Sequence, residues 1–417
     1  MPFCGPAPRL LIKCRLVHNL LLECFLKGDP HKIAIKEDIS CSKMTYGEMY
    51  AAIREANAAM QLAGVSKGDI VLICLPDCPE LLVHAVAVWQ LGGTVTVINP
   101  YFSADEIEKR RNLVSAKWMI TRSNWKSSCR SDYHEGDMQA VLTEVSTKTR
   151  FSLQAKMVEA AKVDVALVVT ERKPDTSELV ATPFTHYNVS AAIQMMGDTL
   201  VFQRRPPGQL FLVCFPLWSA SGLLLSLHGL CSQYQLVVRD RLDISSLRGL
   251  LQKYKITMLT APVETLTFLN ESEISEDLLD SITVICTASN HQKVNTENSL
   301  LQKVDSAIVV YALPECLSWP FVSLEIPASK EMIPVLVAPN FECKILDPRG
   351  VECRMDVTGN VYVRGPACAS TYLSGEPIAD EYGWIKTGIS AEYSEKDMCL
   401  FFALPSEQGN DAHAKSL

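Results

Sequence analysis

No Cys-x-x-Cys occurs anywhere in the 417 residues, although 15 cysteines are scattered through them; the nearest pair is Cys74-x-x-x-Cys78. That absence removes the usual zinc-site spacing and offers no disulfide framework, so the thiols read as reduced and mostly buried, which fits an intracellular compartment. An excess of basic charge is also missing. Lys and Arg number 39 against 47 Asp and Glu, a net charge of −8 with no basic stripe, and this excludes a nucleic-acid footprint. The amino terminus sets Arg9, Lys13 and Arg15 among apolar residues but has no continuous apolar core and no small-residue cleavage site, so no secretory signal is expected. The closing Lys415-Ser416-Leu417 holds the letters of the peroxisomal tripeptide in the wrong order for a receptor that reads sequence; a cytoplasmic location is expected rather than a peroxisomal one. Internal repeats and low-complexity arrays are absent, and residues 403–417 read as a disordered tail.

What the chain does contain is apolar substance. Hydrophobic residues make up 48% of it, enough for the core of two or three domains. From Gly208 to Val238 there is no Asp, Glu, Lys or Arg, and the stretch exceeds the roughly 20 residues that span a bilayer. Pro216, Ser219-Ala220-Ser221, Gly222 and Gly229 nevertheless divide it into strand, short helix and strand. A buried core is expected there, not a transmembrane segment.

Periodicity yields an α/β alternation. Leu16 to Leu26 reads as a helix and His31 to Ile35 as a short strand; a helix opens at Met44-Thr45-Tyr46-Gly47-Glu48, runs through Ala63 and stops at Gly64. Strands follow at Asp69–Leu75, Thr94–Ile98 and Trp118–Ile120, with helices at Pro79–Leu91 and Ser103–Val114, the last opened by a Ser103/Glu106 capping box. Near-continuous apolar strands between helices imply parallel sheets covered on both faces. Residues 122–163 are polar and weakly periodic, with a helix from about Ser152. From Asp164 the alternation resumes, with strands near 210–216, 234–238, 256–260, 282–287 and 307–311 and helices at 243–253, 262–270 and 292–304. From Pro334 the pattern becomes short strands broken by Pro339, Pro348, Gly350 and Gly359. The expected fold class is α/β: two doubly wound, mostly parallel subdomains at 16–163 and 164–333, then a small β-rich subdomain at 334–402.

The interval from Asp164 to Asn188 is where chemistry is legible. An uncharged run, Val165-Ala-Leu-Val-Val169, feeds Thr170-Glu-Arg-Lys-Pro-Asp-Thr-Ser-Glu-Leu-Val180, which has no glycine, and Thr185-His186-Tyr187-Asn188 follows. A loop that wraps a polyphosphate needs glycines so that successive N–H groups converge on one anion, and needs hydroxyl or cationic groups to share its charge. Glu171, Asp175 and Glu178 would repel such an anion, and Pro174 removes a donor. Arg172 and Lys173 offset that only in part.

Together with Val65-Ser-Lys-Gly-Asp-Ile70, Leu75-Pro-Asp-Cys-Pro-Glu80, Asn99-Pro100, Phe215-Pro-Leu-Trp218, Tyr311-Ala-Leu-Pro-Glu315, Val361-Tyr-Val-Arg-Gly-Pro366 and Gly383-Trp-Ile-Lys-Thr-Gly388, this frame resembles the adenylate-forming (AMP-binding) superfamily, in its acyl-CoA synthetase and 4-coumarate-CoA ligase branch. The resemblance implies the large domain of such a ligase over 16–402. Its family cofactors and substrates would be ATP or AMP, magnesium and CoA, should activity be retained. The departures fall at chemistry. The family's Ser/Thr/Gly-rich loop ending in Pro-Lys-Gly is lost, and Thr176 is its one matching hydroxyl. Pro314 replaces the Thr of Tyr-Gly-Met-Thr-Glu, and Thr387-Gly388-Ile389 replaces Thr-Gly-Asp, whose carboxylate holds the ribose. Ser219 stands where a His follows the aromatic. The resemblance also implies a mobile carboxy-terminal lid domain bearing a lysine, and the chain ends shortly after Cys399-Leu-Phe-Phe402, where its hinge would begin; loss of such a stabiliser costs about two to four orders of magnitude in comparable deletions.

Carried over position by position, the nucleotide-binding candidates are Thr176, Thr185, His186, Tyr311, Glu315 and Thr387, the substrate-pocket candidates Trp218, Ser219 and Gly222, and the metal candidate Glu315. Several have a plainer alternative, Glu315 as a solvated or helix-capping carboxylate after Pro314. Thr185, His186 and Asn188 also make a helix N-cap, Tyr311 and Trp384 also make packing residues, and Lys173 also makes an ordinary exposed charge. The expected protein is a catalytically inactive or strongly impaired relative that serves as a binding or scaffold module for an acyl or carboxylate ligand or a protein partner. The alternative is a slow ATP-dependent carboxylate–CoA ligase that forms acyl-AMP with its missing domain supplied by another chain.

Overall fold

Uncharged runs of valine, isoleucine, leucine and threonine pair in parallel and are buried on both faces. The computed structural model describes residues 3–4, 11–122, 159–173, 176–198, 207–262, 283–288, 306–323 and 332–403. A five-stranded sheet runs in the order Trp118–Thr121, Ile70–Cys74, Thr94–Val97, Val165–Arg172, Leu179–Thr185; its first four strands are parallel and the last is antiparallel to its neighbour. Side chains reinforce the join between Thr94–Val97 and Val165–Arg172. The Thr94 and Thr96 hydroxyls donate to the carbonyls of Val165 (2.7 Å) and Val168 (2.6 Å), and the Trp89 indole donates to that of Ala166 (2.7 Å).

The second sheet has fourteen strands. Ser306–Tyr311, Thr283–Ala288, Met258–Pro262, Leu210–Val213, Gln235–Val238 and Ile33–Glu37 form its parallel part. Phe321–Ser323 and Met332–Val337 continue it antiparallel, and Met332–Val337 also pairs with Cys399–Ala403. From there the ladder passes through Ile385–Ser394 and Gly359–Arg364 to Glu342–Leu346. The β-rich region expected from Pro334 is therefore hydrogen-bonded to the parallel sheet as its continuation, and it includes Ala403, which the sequence reading assigned to the tail.

A boundary at 163/164 does not coincide with sheet membership. Val165–Arg172 and Leu179–Thr185 complete the first sheet, while Ile33–Glu37 and Lys43–Thr45 lie in the second. The reason is a crossed connection: helix Pro79–Gln90 is buried among strands of both sheets and helices Val17–Lys27 and Tyr46–Ala63, so early and late segments share one core.

Local signals act where the residues put them. Thr45 caps helix Tyr46–Ala63 in a reciprocal box with Glu48, and Gly64 ends it at φ 100°, a left-handed conformation that favours glycine. Ser103 caps helix Ala104–Leu113 through the Glu106 amide, but the Glu106 carboxylate turns to Arg110 and Arg172 instead of back to the cap. The expected box is thus half formed, because two cations compete for its acid. Gly208 to Val238 contains strand Leu210–Val213, helix Ala220–Cys231 and strand Gln235–Val238. Among the described residues no helix is long and apolar enough to cross a membrane. The helices expected at 262–270 and 292–304, the start of that near Ser152, and the tail beyond Ala403 lie outside the described residues.

Candidate functional site

Strands Val165–Arg172 and Leu179–Thr185 run antiparallel down to the pair Arg172↔Leu179, which brings Lys173 together with Thr176, Ser177 and Glu178 where the two strands end. The Lys173 amide donates to the Glu178 carbonyl (2.9 Å), and the Ser177 amide donates back to the Lys173 carbonyl (2.8 Å). The Glu178 amide donates to the Thr176 hydroxyl (3.3 Å). Three amides that a phosphate loop would present outward are thus bonded within the turn, and Ser177 takes φ 57° to make it.

The cations are engaged as well. The Lys173 ammonium lies 4.6 Å from the centre of the Tyr372 ring, 3.5 Å from Glu376 and 3.6 Å from Glu178. Burial works against its charge, but Tyr372, Glu376 and Glu178 outweigh it and raise the pKa. Arg172 forms a fork to Glu106 (2.8 and 3.0 Å) and also donates to the Ser177 carbonyl. Arg110, on the same glutamate, donates to the carbonyl and hydroxyl of Thr170.

Beside these cations sits a pair of acids. Glu171 is half-buried and its pKa is pushed up to about 7, first by burial and then by Glu315, with Arg110 pulling the other way. Glu315, on the turn after Pro314, is also raised by burial, against its own backbone hydrogen bond and Lys173. Among the described residues no group of three His, Cys, Asp or Glu could hold a metal ion; magnesium held at one carboxylate such as Glu315 would take its other ligands from phosphate and water.

The other sequence candidates separate. Thr185 and Asn188 form a reciprocal N-cap at helix His186–Asp198: the Asn188 amide donates to the Thr185 hydroxyl, and the Thr185 amide and hydroxyl donate to the Asn188 side chain. The Asn188 carboxamide also donates to the carbonyls of Pro366 (2.9 Å) and Cys368 (3.2 Å), tying the helix start to the segment flanking Glu315. His186 is buried, accepts the Val17 amide through Nδ1 and packs edge-on to His18; burial, aided by His18, lowers its pKa to about 3. His186 is thus a core histidine, while Thr185 and Asn188 make the cap. Tyr311 is buried against Phe402 with no ring face open to a base. The Thr387 hydroxyl donates to the Val361 carbonyl and accepts from the Ile389 amide, so it is turned into its own sheet.

At the substrate-pocket positions, Ser219 caps helix Ala220–Cys231, and Gly222 lies so close to the Pro216 carbonyl that an added Cβ would stand 2.0 Å from its oxygen. Trp218 is partly buried beside them. Sequence reasoning missed Asp77. It accepts the Leu217 amide at 2.6 Å, which docks the Pro76-Asp77 turn on the Phe215–Trp218 motif. Its pKa is pushed up to about 7, chiefly by burial, with Asp240 adding to it against the amides of Leu217 and Trp218. It also missed the meeting of Glu376 and Tyr372 around Lys173; no spacing in the sequence encodes either.

Asn188→Ala is expected to destabilise the fold by about 2 kcal/mol, since it leaves two carbonyls and the cap amides without partners. Urea denaturation of the variant beside wild type measures this.

Comparison with known proteins agrees with the fold. A family model described as AMP-binding enzyme matches residues 22–373. The chain is 24% identical over 369 residues to 4-coumarate–CoA ligase 3 of Oryza sativa subsp. japonica, covering 82% of this chain and 66% of that protein. It is 25% identical to 4-coumarate–CoA ligase 4 of Arabidopsis thaliana, covering 87% and 68%, so it spans about two thirds of the length of these relatives. Among solved structures, the long-chain-fatty-acid-CoA ligase FadD1 of Archaeoglobus fulgidus superposes with a TM-score of 0.76 at 17% identity, covering 97% of this chain and 86% of that one. The N-terminal domain of FACL13 of Mycobacterium tuberculosis gives 0.74 at 15% identity, covering 93% and 99%. With the match spanning most of its length, the chain belongs to the AMP-binding enzyme family, in the company of acyl-CoA synthetase-like proteins.

Proposed function

We propose that this protein is a member of the family in which nucleotide handling is lost or strongly weakened, and that its large domain serves as a binding or scaffold module. The ligand class is an acyl or carboxylate compound, or a protein partner. The carrying observation is the fate of Lys173, whose ammonium is held by Tyr372, Glu376 and Glu178 at the mouth of a hairpin that bonds its own amides. A triphosphate brought there would meet Glu171 and Glu315 with no free cation among the described neighbours to share its charge. The cost of adding negative charge to a partly desolvated acidic pair is several kcal/mol even at moderate effective dielectric. The residues present therefore do not fit ATP with magnesium.

Isothermal titration with ATP and magnesium at pH 7.5, followed by a pyrophosphate-release assay with fatty and aryl carboxylic acids and CoA, tests the reading. The expected result is no saturable heat at micromolar nucleotide and no pyrophosphate. Micromolar binding together with acid-dependent pyrophosphate release would overturn it in favour of a working, slow ligase.

A further inference from the structure

Immediately after Glu315 the chain meets a segment from the antiparallel part of the large sheet. Cys316 and Cys368 stand directly opposite one another in an isolated antiparallel bridge. The Leu317 amide donates to the Ala367 carbonyl (3.0 Å) and the Ala369 amide to the Glu315 carbonyl (2.9 Å). These bonds flank the two cysteines, which therefore occupy the non-hydrogen-bonded pair position. There Cα atoms approach to about 4.5 Å, within the span a disulfide bridges. The sulfurs already lie 3.1 Å apart. Cys316 is buried while Cys368 is partly exposed.

We propose that Cys316 and Cys368 form a reversible disulfide, a modification site that responds to hydrogen peroxide and staples the Glu315 turn to the 366–369 segment. Cys368, the reachable sulfur, attacks a peroxide oxygen as thiolate. An S–O bond forms, the O–O bond breaks, and the leaving hydroxide takes the proton that Cys368 gave up, leaving as water. Cys316 then displaces the hydroxyl of the Cys368 sulfenic acid: the S–S bond forms, the S–O bond breaks, and the Cys316 proton leaves with the hydroxyl as a second water. Two thiols and one peroxide become one disulfide and two waters. Cys316 suits the resolving role because its hydrogen bond to Cys368, and then burial, keep it protonated well above the ordinary thiol range until the sulfenic acid forms beside it. The bond would close a loop that includes Phe321–Ser323, Met332–Val337 and Gly359–Arg364, and it would fix the backbone that Asn188 grips at Cys368.

The test treats the full chain with graded hydrogen peroxide, blocks remaining thiols with N-ethylmaleimide, and maps peptides by mass spectrometry without reductant. The expected result is a Cys316–Cys368 cross-linked peptide as the first disulfide to appear, reversed by dithiothreitol, with a rise in Tm of about 5 °C. Cys316→Ser is expected to abolish the cross-link and to leave Cys368 as its sulfenic acid, trapped by dimedone. Should Cys316→Ser fail to fold, Cys368→Ser supplies the same loss of the cross-link from the more exposed side. Oxidation of wild type that cross-links other cysteines first, or that carries Cys368 to sulfinic acid while Cys316 remains alkylatable, overturns the proposal.

Discussion

Gly222→Ala is expected to destabilise the protein by about 3 kcal/mol or more, the upper end of the range for overpacking. The added methyl would stand 2.0 Å from the Pro216 carbonyl oxygen, 2.6 Å from its carbon and 2.8 Å from the Phe215 oxygen. All three are backbone atoms, so no rotamer change relieves the clash and the helix start must move. Movement there also lengthens the Ser219 cap on the Gly222 amide, now 3.1 Å, and pulls on the Leu217 amide that Asp77 accepts. Gly249→Ala is the control, since a Cβ there meets nothing within 4 Å; it is expected to be neutral or slightly stabilising through helix propensity. Thermal or urea unfolding of both variants measures the contrast, and equal stabilities would mean that the segment Phe215–Ser219 is not held against the helix.

Glu171→Gln is expected to stabilise the protein by about 1–3 kcal/mol at pH 8 and by about a quarter of that at pH 5. The sign follows from protonation. The folded pKa of Glu171, about 7, lies above the ordinary 4.5, so the native state holds a proton that the unfolded chain releases between those values. Its favourable contribution is complete below about pH 4.5 and is lost as pH rises through 7, where an ionised carboxylate must stay beside Glu315. Glutamine keeps the shape without the charge. His18, His186 and His228 act oppositely, because burial lowers their pKa values to about 4, 3 and 4; neutral in the fold, they weaken it as pH falls below about 6.5. The comparison must therefore be made between variant and wild type at each pH, where those terms cancel. An equal difference at pH 5 and pH 8 would show that Glu171 is solvated and that the acidic pair exerts no field.

The parallel strands were legible because burial on both faces leaves a mark in sequence: Ile70–Cys74 and Gln235–Val238 carry no charge. Leu179–Thr185 was not, since Pro183 interrupts its pattern and a flanking charged run disguised it as loop. Strand Ile385–Ser394 alternates as far as Ala391, with Ile385, Thr387, Ile389 and Ala391 buried and Lys386, Gly388 and Ser390 exposed. Its period of two coincides with the Thr387-Gly388 motif, so one stretch carries both a strand pattern and a motif. At the candidate site, the sequence exposed the missing glycines and the acids of the 170–180 segment. It did not reveal that Glu315, Tyr372 and Glu376 converge on Lys173, because that meeting depends on which strands of two sheets lie at one end. His186 shows the converse: as a residue type it suggests chemistry, yet its place under the Val17 amide makes it part of the core.

Leu179–Thr185 is the outer strand of the five-stranded sheet, and such a strand invites recruitment by another molecule's backbone. The Ala181 carbonyl points away from its neighbour and accepts the Leu373 amide at 2.8 Å. Two residues on, Pro183 faces the same open side and carries no N–H. One acceptor is taken and one donor never existed, so polymerisation through this rim is blocked without a single charged residue between Leu179 and Thr185.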